Sequence, residues 1–152
     1  MTGFSETIQK TACLYDTDYY LWLQHNLELI RLGKFSEVDW THLLEEIEDM
    51  GKSEKRAITS NLRILLMHLL KYQYQSDNQT NSWLFTIREH RKRLLELLKM
   101  SPSLKSYYLD VFADCYQDAR ELAADETGLP INTFPEMSPF TPEDAINPDF
   151  LP

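Results

Sequence analysis

The stretch from Asp39 to Gln75 constrains the fold more than any other part of the chain. Its apolar residues recur at the three- and four-residue spacing of one helix face. That phase continues across Gly51, and one interior glycine costs a helix only ~1 kcal/mol relative to alanine. Gly51 followed by Ser53 could also end one helix and cap another, but the pattern favours one continuous or bent helix over a reversal. The residues in phase are Leu43, Ile47, Met50, Ala57, Asn61, Leu65, His68 and Tyr72.

The same criteria predict helices on both sides of this stretch. Asp16 is an N-cap residue type whose carboxylate can accept the free N–H groups of a first turn, and Gly33 can end that helix in the left-handed conformation. The polar run at 76–81 predicts a loop. Trp83 then opens a helix that extends to about Lys99.

A last long helix is predicted between two stop signals. Ser101 and Pro102 end the preceding helix and start this one, because serine caps helices and proline suits the first turn. Gly128 and Pro130 end it. Its inward face is predicted to carry Leu104, Tyr108, Val111, Cys115, Ala119 and Leu122.

The C-terminal segment from Pro130 to Pro152 holds six of the seven prolines, so it cannot form a long helix or a central strand. It also carries too many apolar side chains to be a solvated tail. We expect it to follow an extended path across the helices, with one short helical turn capped by Thr141. The apolar residues are Ile131, Phe134, Met137, Phe140, Ile146, Phe150 and Leu151.

These elements predict an all-α fold, which is a bundle of four or five helices with an extended proline-rich C-terminal segment packed across it. In this plan residues 1–15 form an N-terminal arm, residues 16–129 the helical bundle and residues 130–152 the packed segment. A chain of 152 residues supplies material for one domain with one core.

Charge and cysteine content narrow the classes of function. The 24 acidic residues against 15 basic ones give a net charge of -9, which repels nucleic acid and anionic lipid and favours a basic or neutral partner. Cys13 and Cys115 fit neither a metal motif nor a redox pair, and they indicate free thiols in a reducing compartment. The N-terminus lacks the pattern of a signal peptide, and no window approaches the ~20 apolar residues of a membrane span. We therefore expect a cytoplasmic protein without a membrane partner.

Several separate motifs resemble those of a known family in their order and spacing. They are YDTDYYLWLQ from Tyr15, LLEEIEDMGKSEKRAITSNLRILLMHLLKYQYQ from Leu43, SWLFTIREHRKRL from Ser82, SPSLKSYY from Ser101, and then ETGLP and TFPEMSP. From about Tyr15 to Pro152 the chain resembles the bacterial domain-of-unknown-function family twenty-nine, which is especially common in cyanobacteria. The resemblance implies a helical fold and brings no activity with it.

An acidic face is predicted on the first half of the long helix. Glu45, Glu46 and Asp49 lie close together on it, and with His42 they could offer metal ligands from neighbouring turns. His68 cannot complete such a site within the chain, because it lies ~33 Å from Glu46 along a continuous helix and ~18 Å away in height after a reversal. We therefore predict no metal site, and we interpret the acids as a solvated face that meets basic residues of a neighbouring helix.

His68 lies within an apolar run and is expected to be at least partly buried. If the loop after the long helix reverses the chain, residues equidistant from it are level, which places His68 near Arg88 and Glu89. The turn after the next helix places Arg88 level with Asp114 in the same way. We therefore predict a polar layer or interhelical pocket of His68, Arg88, Glu89 and Asp114. As structure it would fix the helix register, and as function it would supply a general acid or base.

The run at 88–93 is the basic cluster of the sequence, and its candidate basic face consists of Arg88, Arg91, Lys92 and Arg93. Adjacent residues of a helix point about 100° apart, so these charges spread over more than one side. Nucleic-acid binding would need them on one side with aromatic residues between them. The favoured interpretation is charge pairing with the acidic long helix, and nucleic-acid binding ranks below it.

The sequence contains no nucleophile triad, phosphate-binding loop or dinucleotide fingerprint, and none of its four glycines lies in a phosphate-cradling pattern. We therefore predict no catalytic residue and no cofactor, and we interpret the chain as a non-catalytic protein-interaction or regulatory module. A protein partner or a homo-oligomer fits this interpretation. Two alternatives stay open: an enzyme or small-ligand binder that uses the interhelical pocket around His68 and Arg88, and nucleic-acid binding through the basic face.

Overall fold

The computed structural model describes Glu6 and residues 14–152, and the regular elements of that part of the chain are all helices. This confirms the predicted all-α class. Within the described residues, no helix combines the length and the hydropathy that spanning a membrane requires. After a helical turn at residues 14–17, the α-helices of the described residues are α1 (Tyr19–Arg31), α2 (Trp40–Tyr74), α3 (Asn81–Met100), α4 (Leu104–Thr127) and α5 (Pro142–Ile146). Turns of 3-10 helix lie at Phe35–Glu37, Ser76–Asn78 and Ile131–Thr133.

The chain divides into two compact units, an N-terminal unit of Met1–Lys52 and a C-terminal unit of Ser53–Pro152. The boundary lies inside α2, where no residue from Trp40 to Ala57 is buried. The predicted bundle of residues 16–129 therefore contains this boundary. The predicted segment of residues 130–152 belongs to the C-terminal unit.

Helix α1 starts later than the sequence predicts. Asp18, and not Asp16, is its N-cap, because the Oδ1 atom of Asp18 accepts the N–H of Leu21 at 3.0 Å. Asp16 lies in a preceding helical turn of residues 14–17. The predicted arm of residues 1–15 thus ends in helix, and the rest of it falls mostly outside the described residues.

Helix α2 runs through Gly51 without a break and has 35 residues, as the continuous hydrophobic phase predicts. A Cβ atom added at Gly51 would meet nothing within 4 Å. This glycine therefore marks neither a turn nor a close contact between backbones. Its cost to the helix is the modest loss of helix propensity, which 34 other residues can offset.

The second half of α2 supplies the apolar core of the C-terminal unit. Ile58, Leu62, Leu65 and Leu69 are each 0% exposed. Burying one side chain of this size contributes about 1.5–3 kcal/mol. The core also contains Ile87 and Leu94 of α3, Tyr108, Phe112, Cys115, Tyr116 and Ala119 of α4, and Phe134, Phe140 and Ala145 of the C-terminal segment.

The ends of α1, α3 and α4 follow local signals. Gly33 and Gly128 have φ of 72° and 71°, in the left-handed region that glycine adopts without strain. They end α1 and α4 where the sequence predicts. Helix α3 begins at Asn81, earlier than the predicted Trp83, because the Thr80 hydroxyl accepts the Trp83 N–H and caps the helix.

Side chains of α4 hold the proline-rich segment. Each proline lacks an N–H, so this segment cannot satisfy its carbonyl groups by continuing a helix. Thr141 caps α5 by accepting the N–H of Asp144 at 3.0 Å, which confirms the predicted short turn. The hydrogen bonds from α4 run from Tyr116 Oη to the Pro135 carbonyl, from Gln117 Nε2 to the Glu136 carbonyl and from Arg120 Nε to the Phe134 carbonyl.

Two predictions about α4 have different outcomes. Cys115 is a free thiol, as predicted, and burial raises its pKa to about 11, so it is a poor nucleophile at neutral pH. Leu122, predicted on the inward face, is 40% exposed. Cys13, the other predicted free thiol, lies outside the described residues.

Candidate functional site

The N-terminal unit has a polar cluster in its interior, formed by Trp22, Asn26, Asp39 and His42. Asp39 directly precedes α2 and is 5% exposed. Its Oδ2 atom accepts the indole N–H of Trp22 at 3.0 Å and lies 2.7 Å from Nδ1 of His42. Asn26 accepts the backbone N–H of Asp39 at 2.9 Å. The cluster therefore joins α1 to the start of α2.

His42 carries a proton on Nδ1, because only an N–H group can donate to the Asp39 carboxylate. That hydrogen bond raises the pKa of His42. Burial works to raise the pKa of Asp39, but the hydrogen bonds from Trp22 and His42 outweigh it and lower that pKa. A carboxylate that orients an imidazole occurs in hydrolases. Here the carboxylate also approaches the His42 backbone N–H at 3.4 Å, so a helix cap accounts for the pair.

Glu46 departs from the solvated face that the sequence predicts for it. Tyr15 donates its hydroxyl to Oε1 at 2.5 Å, and Tyr19 donates to Oε2 at 2.7 Å. The hydrogen bond to Glu46 raises the pKa of Tyr15 to about 12, and the two bonds lower the pKa of Glu46. The Tyr15 ring also stacks on His42, with ring centres 4.0 Å apart. Glu46 thus finds hydroxyl donors within its own unit in place of a basic residue.

The first half of α2 also carries a stripe of exposed apolar side chains. Leu44, Ile47 and Met50 are 59%, 57% and 61% exposed. Residues three apart are neighbours on a helix surface, so these side chains form one stripe. The acidic-apolar face, as we call it, consists of this stripe and of the exposed carboxylate of Glu48, which lies about 40° from Leu44 around the helix. Glu45 and Asp49 are also exposed, on the opposite side of α2.

Three of the four residues of the predicted basic face meet at one cleft. Arg88, Arg91 and Lys92 of α3 line a cleft of about 350 Å³. Arg93 is held elsewhere, since its Nε donates to Glu89 at 3.1 Å. The sequence predicts that this run pairs with the acidic long helix. The ion pairs found for it in the described residues lie within α3 instead. Arg93 pairs with Glu89 and Lys92 with Glu96, because residues four apart on α3 are already adjacent.

Arg91 is the buried member of this group, with 4% of its surface exposed. Its Nε donates to the Ala145 carbonyl of α5 at 2.9 Å. Its Nη2 atom is buried without a hydrogen-bond partner in the described residues. Burial lowers the pKa of Arg91, while Tyr108 works in the opposite direction. The sequence predicts Arg91 as part of a basic face and also places it on one helical stripe with Leu84, Ile87, Leu94 and Leu98. No local pattern indicates that α5 covers it.

The remaining walls of the cleft are apolar, and all of its lining residues belong to the C-terminal unit. Helix α3 and the C-terminal segment each supply one side. The apolar lining residues are Leu84, Ile87 and Leu95 of α3, and Pro148 and Leu151 of the segment.

The structure places the four residues of the predicted polar layer in different environments. His68 is half-buried, and its Nδ1 lies 3.0 Å from the Ile64 carbonyl of its own helix. Arg88 and Asp114 are exposed, and Glu89 is paired within α3. No hydrogen bond or ion pair between two of the four is found in the described part of the chain. The layer stays a prediction.

His90 has the interhelical contact that the sequence assigned to other residues. Its Nδ1 lies 2.8 Å from Oδ1 of Asn61, whose Nδ2 donates to the Ala57 carbonyl at 2.7 Å. Asn61 therefore presents an acceptor, and His90 donates from Nδ1. Burial lowers the pKa of both His68 and His90 below the ordinary value of 6.5, so both rings are neutral at pH 7.

His42 and the acids of α2 have the side-chain types of metal ligands. In the structure His42 is bonded to Asp39, and Glu46 is bonded to two tyrosines. Within Glu6 and residues 14–152, no group of three or more histidine, cysteine or acidic side chains is placed to hold a metal ion.

The polar cluster around Asp39 was not predicted from the sequence. Asp39 lies directly before α2, at a position where aspartate often caps a helix, so its capping role could have been predicted. Its partners Trp22 and Asn26 were not, because they depend on the path of the chain between α1 and α2. No local pattern in residues 32–38 specifies that path.

Comparison with known proteins gives one family. A family model described as "Domain of unknown function DUF29" matches residues 14–151. No curated protein and no solved structure matches the chain significantly. The family match spans nearly all of the described residues and agrees with the resemblance found in the sequence motifs. The chain therefore belongs to the DUF29 family.

Proposed function

We propose that the chain is a non-catalytic protein-interaction module whose acidic-apolar face binds a basic amphipathic helix of a partner protein. One observation carries this proposal. Leu44, Ile47 and Met50 lie side by side on α2 with 59%, 57% and 61% of their surfaces in solvent.

The second half of the same helix supports this interpretation. An amphipathic helix normally turns its apolar stripe towards a core. Leu62, Leu65 and Leu69 do so and are 0% exposed. Single exposed apolar residues are ordinary, but a continuous apolar patch with a polar border is typical of a binding surface. The first half of α2 has such a patch, and no buried residue lies between Trp40 and Ala57.

The charges beside the stripe indicate the chemistry of the partner. Glu45, Glu48 and Asp49 are exposed, and none of them forms an ion pair with another described residue. Glu48 borders the apolar stripe, and the three unpaired carboxylates together give this half of α2 a negative potential. Such a surface is complementary to lysine or arginine residues that border an apolar stripe on another helix. A helix that presents apolar residues at three- and four-residue spacing is a common ligand for such a surface.

A pair of synthetic helical peptides tests this proposal. One carries leucines on one face and lysines beside them, and the other replaces each lysine with glutamate. We expect the lysine peptide to bind the full chain in fluorescence anisotropy, with an affinity that falls as salt rises. The glutamate peptide is expected to bind at least about tenfold more weakly, because like charges face each other.

Matched variants locate the binding. The triple change Leu44→Ser, Ile47→Ser and Met50→Ser removes the stripe at exposed positions, where effects on folding are small. It should reduce peptide binding by more than about tenfold. Phe85→Ser and Met100→Ser alter apolar residues that are 67% and 80% exposed in the C-terminal unit, and they should leave binding unchanged. If the stripe variant bound the lysine peptide as tightly as the wild type does, the proposal would be wrong.

Sedimentation velocity separates a foreign partner from a second copy. The proposal predicts a monomer in the absence of peptide. A wild-type dimer that the stripe variant loses would show that the chain itself occupies the face, and the proposal of a basic partner helix would then be replaced by self-association.

The other interpretations of the sequence have less support. Nucleic-acid binding through the predicted basic face would need exposed cations in one row, yet Arg91 is buried and Arg93 is paired with Glu89. An enzyme centred on His68 and Arg88 would need the two to meet, and His68 is bonded to the Ile64 carbonyl. We therefore place both alternatives below the protein-interaction function.

A further inference from the structure

We infer that the cleft beside Arg91 in the C-terminal unit is a binding site for a small amphipathic carboxylate of about a dozen non-hydrogen atoms or fewer, with an apolar body and one carboxylate head. This site is separate from the acidic-apolar face and does not depend on the function proposed for it. The inference rests on a buried cation, on the charges around it and on the apolar walls of the cleft.

Arg91 is a buried cation in the lining of the cleft. A guanidinium removed from water needs a compensating charge or a full set of hydrogen bonds. Arg91 is 4% exposed, and its Nε atom is used by the Ala145 carbonyl. Its Nη2 atom is buried and has no hydrogen-bond partner in the described residues. The hydrogen bond found there for Arg91 comes from Nε, so its other Nη group is not used either. The donors of the guanidinium fork are thus left for a ligand.

The charges around Arg91 favour an anion. The lining of the cleft includes the three cations Arg88, Arg91 and Lys92, and it includes no aspartate or glutamate. Arg88 is exposed and forms no ion pair in the described part of the chain. Lys92 has only a 4.0 Å contact with Glu96, and both of these side chains are mostly in solvent. Three cations around one apolar space set up a positive potential that attracts a negative group.

The walls and the volume specify the rest of the ligand. The wall residues of α3 and of the C-terminal segment are leucine, isoleucine and proline. Small-molecule sites are commonly apolar with a few polar groups that fix orientation. The cleft of about 350 Å³ holds about a dozen non-hydrogen atoms, at roughly the 30 Å³ that a water molecule occupies in the liquid.

The head group is a carboxylate because one buried guanidinium lines a cleft whose other two cations, Arg88 and Lys92, are exposed. Two Nη donors match the two oxygens of a carboxylate, and such pairs are often bidentate. A phosphate monoester carries up to two charges, so burying it here would need a second buried cation. Arg88 and Lys92 are exposed and do not supply one.

Octanoate and octanamide provide a matched test, because they have the same length and differ in the charge of the head group. We expect octanoate, titrated into the full ¹⁵N-labelled chain, to shift backbone resonances of α3 and of residues 145–152. Octanamide should bind at least about tenfold more weakly. Octyl phosphate, as the third probe, should bind more weakly than octanoate.

Variants assign the head group to Arg91. Arg91→Met should weaken octanoate binding by about 10- to 100-fold, the range expected for lost charge-assisted hydrogen bonds. Arg91 also bonds to Ala145, so this variant could disturb α5. Leu151→Glu is the second variant, because Leu151 lines the cleft and is 47% exposed. It places a competing carboxylate at the cleft without touching the core and should also abolish octanoate binding.

Lys105→Met is the control, since Lys105 is an exposed cation of the C-terminal unit outside the cleft lining. It should bind octanoate like the wild type. The inference is overturned by equal binding of octanoate and octanamide, by undiminished octanoate binding to Leu151→Glu, or by shifts outside the cleft. Tighter binding of octyl phosphate than of octanoate would overturn the assignment of a carboxylate head group.

Discussion

The interiors of the two units of the chain differ in chemistry. In the C-terminal unit, aliphatic and aromatic side chains from α2, α3, α4 and the proline-rich segment form one apolar core. In the N-terminal unit, the buried residues include Asn26 and Asp39 beside Trp22, Leu29 and Val38. One interior is mostly hydrocarbon, and the other depends on hydrogen bonds to a carboxylate.

The difference shows that the burial of a side chain on α2 depends on what packs against the helix, and not on the helix's own apolar pattern. The apolar phase is the same in both halves of the helix, yet Ile47 is 57% exposed and Leu65 is 0% exposed. Apolar packing has no protons to gain or lose, so pH should affect the C-terminal unit only through the few titratable groups beside its core, whereas the hydrogen bonds to Asp39 make the polar interior itself respond to pH.

The largest expected effect is a difference in the free energy of unfolding between two leucine-to-alanine variants, one in each half of α2. Leu65→Ala removes a fully buried side chain and should lower the free energy of unfolding by about 2–5 kcal/mol, because it leaves a cavity. Leu44→Ala makes the same chemical change at a position that is 59% exposed, and it should alter stability by less than about 0.5 kcal/mol. Urea denaturation of both variants checks this, and similar losses would remove the proposed contrast between the two halves.

The second effect concerns the polar interior. Asp39→Asn keeps the shape of the side chain but removes the charge that accepts from Trp22 and His42. It should lower the local stability of α1 by about 1–3 kcal/mol, the scale of hydrogen bonds to charged groups. Hydrogen exchange of the α1 amides measures it. The matched control is Asp49→Asn, an exposed carboxylate of the same unit, and protection of α1 should survive that change.

The features predicted from the sequence are those that depend on neighbours in the chain. Gly128 ends α4 because glycine adopts positive φ without strain, and Thr141 caps α5 through a group three residues away. These signals need no knowledge of the tertiary structure.

The partners of the polar side chains were not predictable in this way. His68 was placed by assuming two symmetric reversals, yet its ring bonds within α2 and His90 makes the contact with Asn61. A rotation of one helix by a single residue, about 100°, decides which side chain faces the neighbour. Arg91 is a further example, because its burial depends on where α5 lies.

Changes of pH should affect the two interiors in opposite directions. The pKa of His42 is raised by its bond to Asp39, so its contribution is full below the ordinary value of 6.5 and is lost as pH rises through the folded pKa. The pKa of His68 and of His90 is lowered by burial, so their contribution is full above 6.5 and is lost as pH falls through the folded pKa. Asp39, whose pKa is lowered, contributes fully above 3.8 and loses that contribution only at lower pH.

Moving from about pH 8 to about pH 5.5 should thus stabilise α1 and destabilise the contact between α2 and α3, each by about 1 kcal/mol or less. Hydrogen exchange at the two pH values, corrected for intrinsic rates, resolves the two regions. His42→Asn should remove the response of α1 and leave that of α3. A common direction of change in both regions would contradict the assignment of these protonation states.

The smallest expected effect is a change in the pKa of Tyr15 when its hydrogen-bond acceptor Glu46 is altered, and it is measured by NMR. The bond from Tyr15 to Glu46 raises the pKa of Tyr15 to about 12, and Tyr19 shares the same carboxylate. In the Glu46→Gln variant the acceptor loses its charge, so the pKa of Tyr15 should fall towards the ordinary value of 10.0. Tyrosine Cζ resonances of ¹³C-labelled protein report each phenol separately. Tyr116, which belongs to the C-terminal unit and whose pKa burial raises to about 12, is the internal control and should keep that pKa in the Glu46→Gln variant. If the Tyr15 pKa were the same in both proteins, the N-terminal unit would not owe its polar character to Glu46, and the contrast would rest on Asp39 alone.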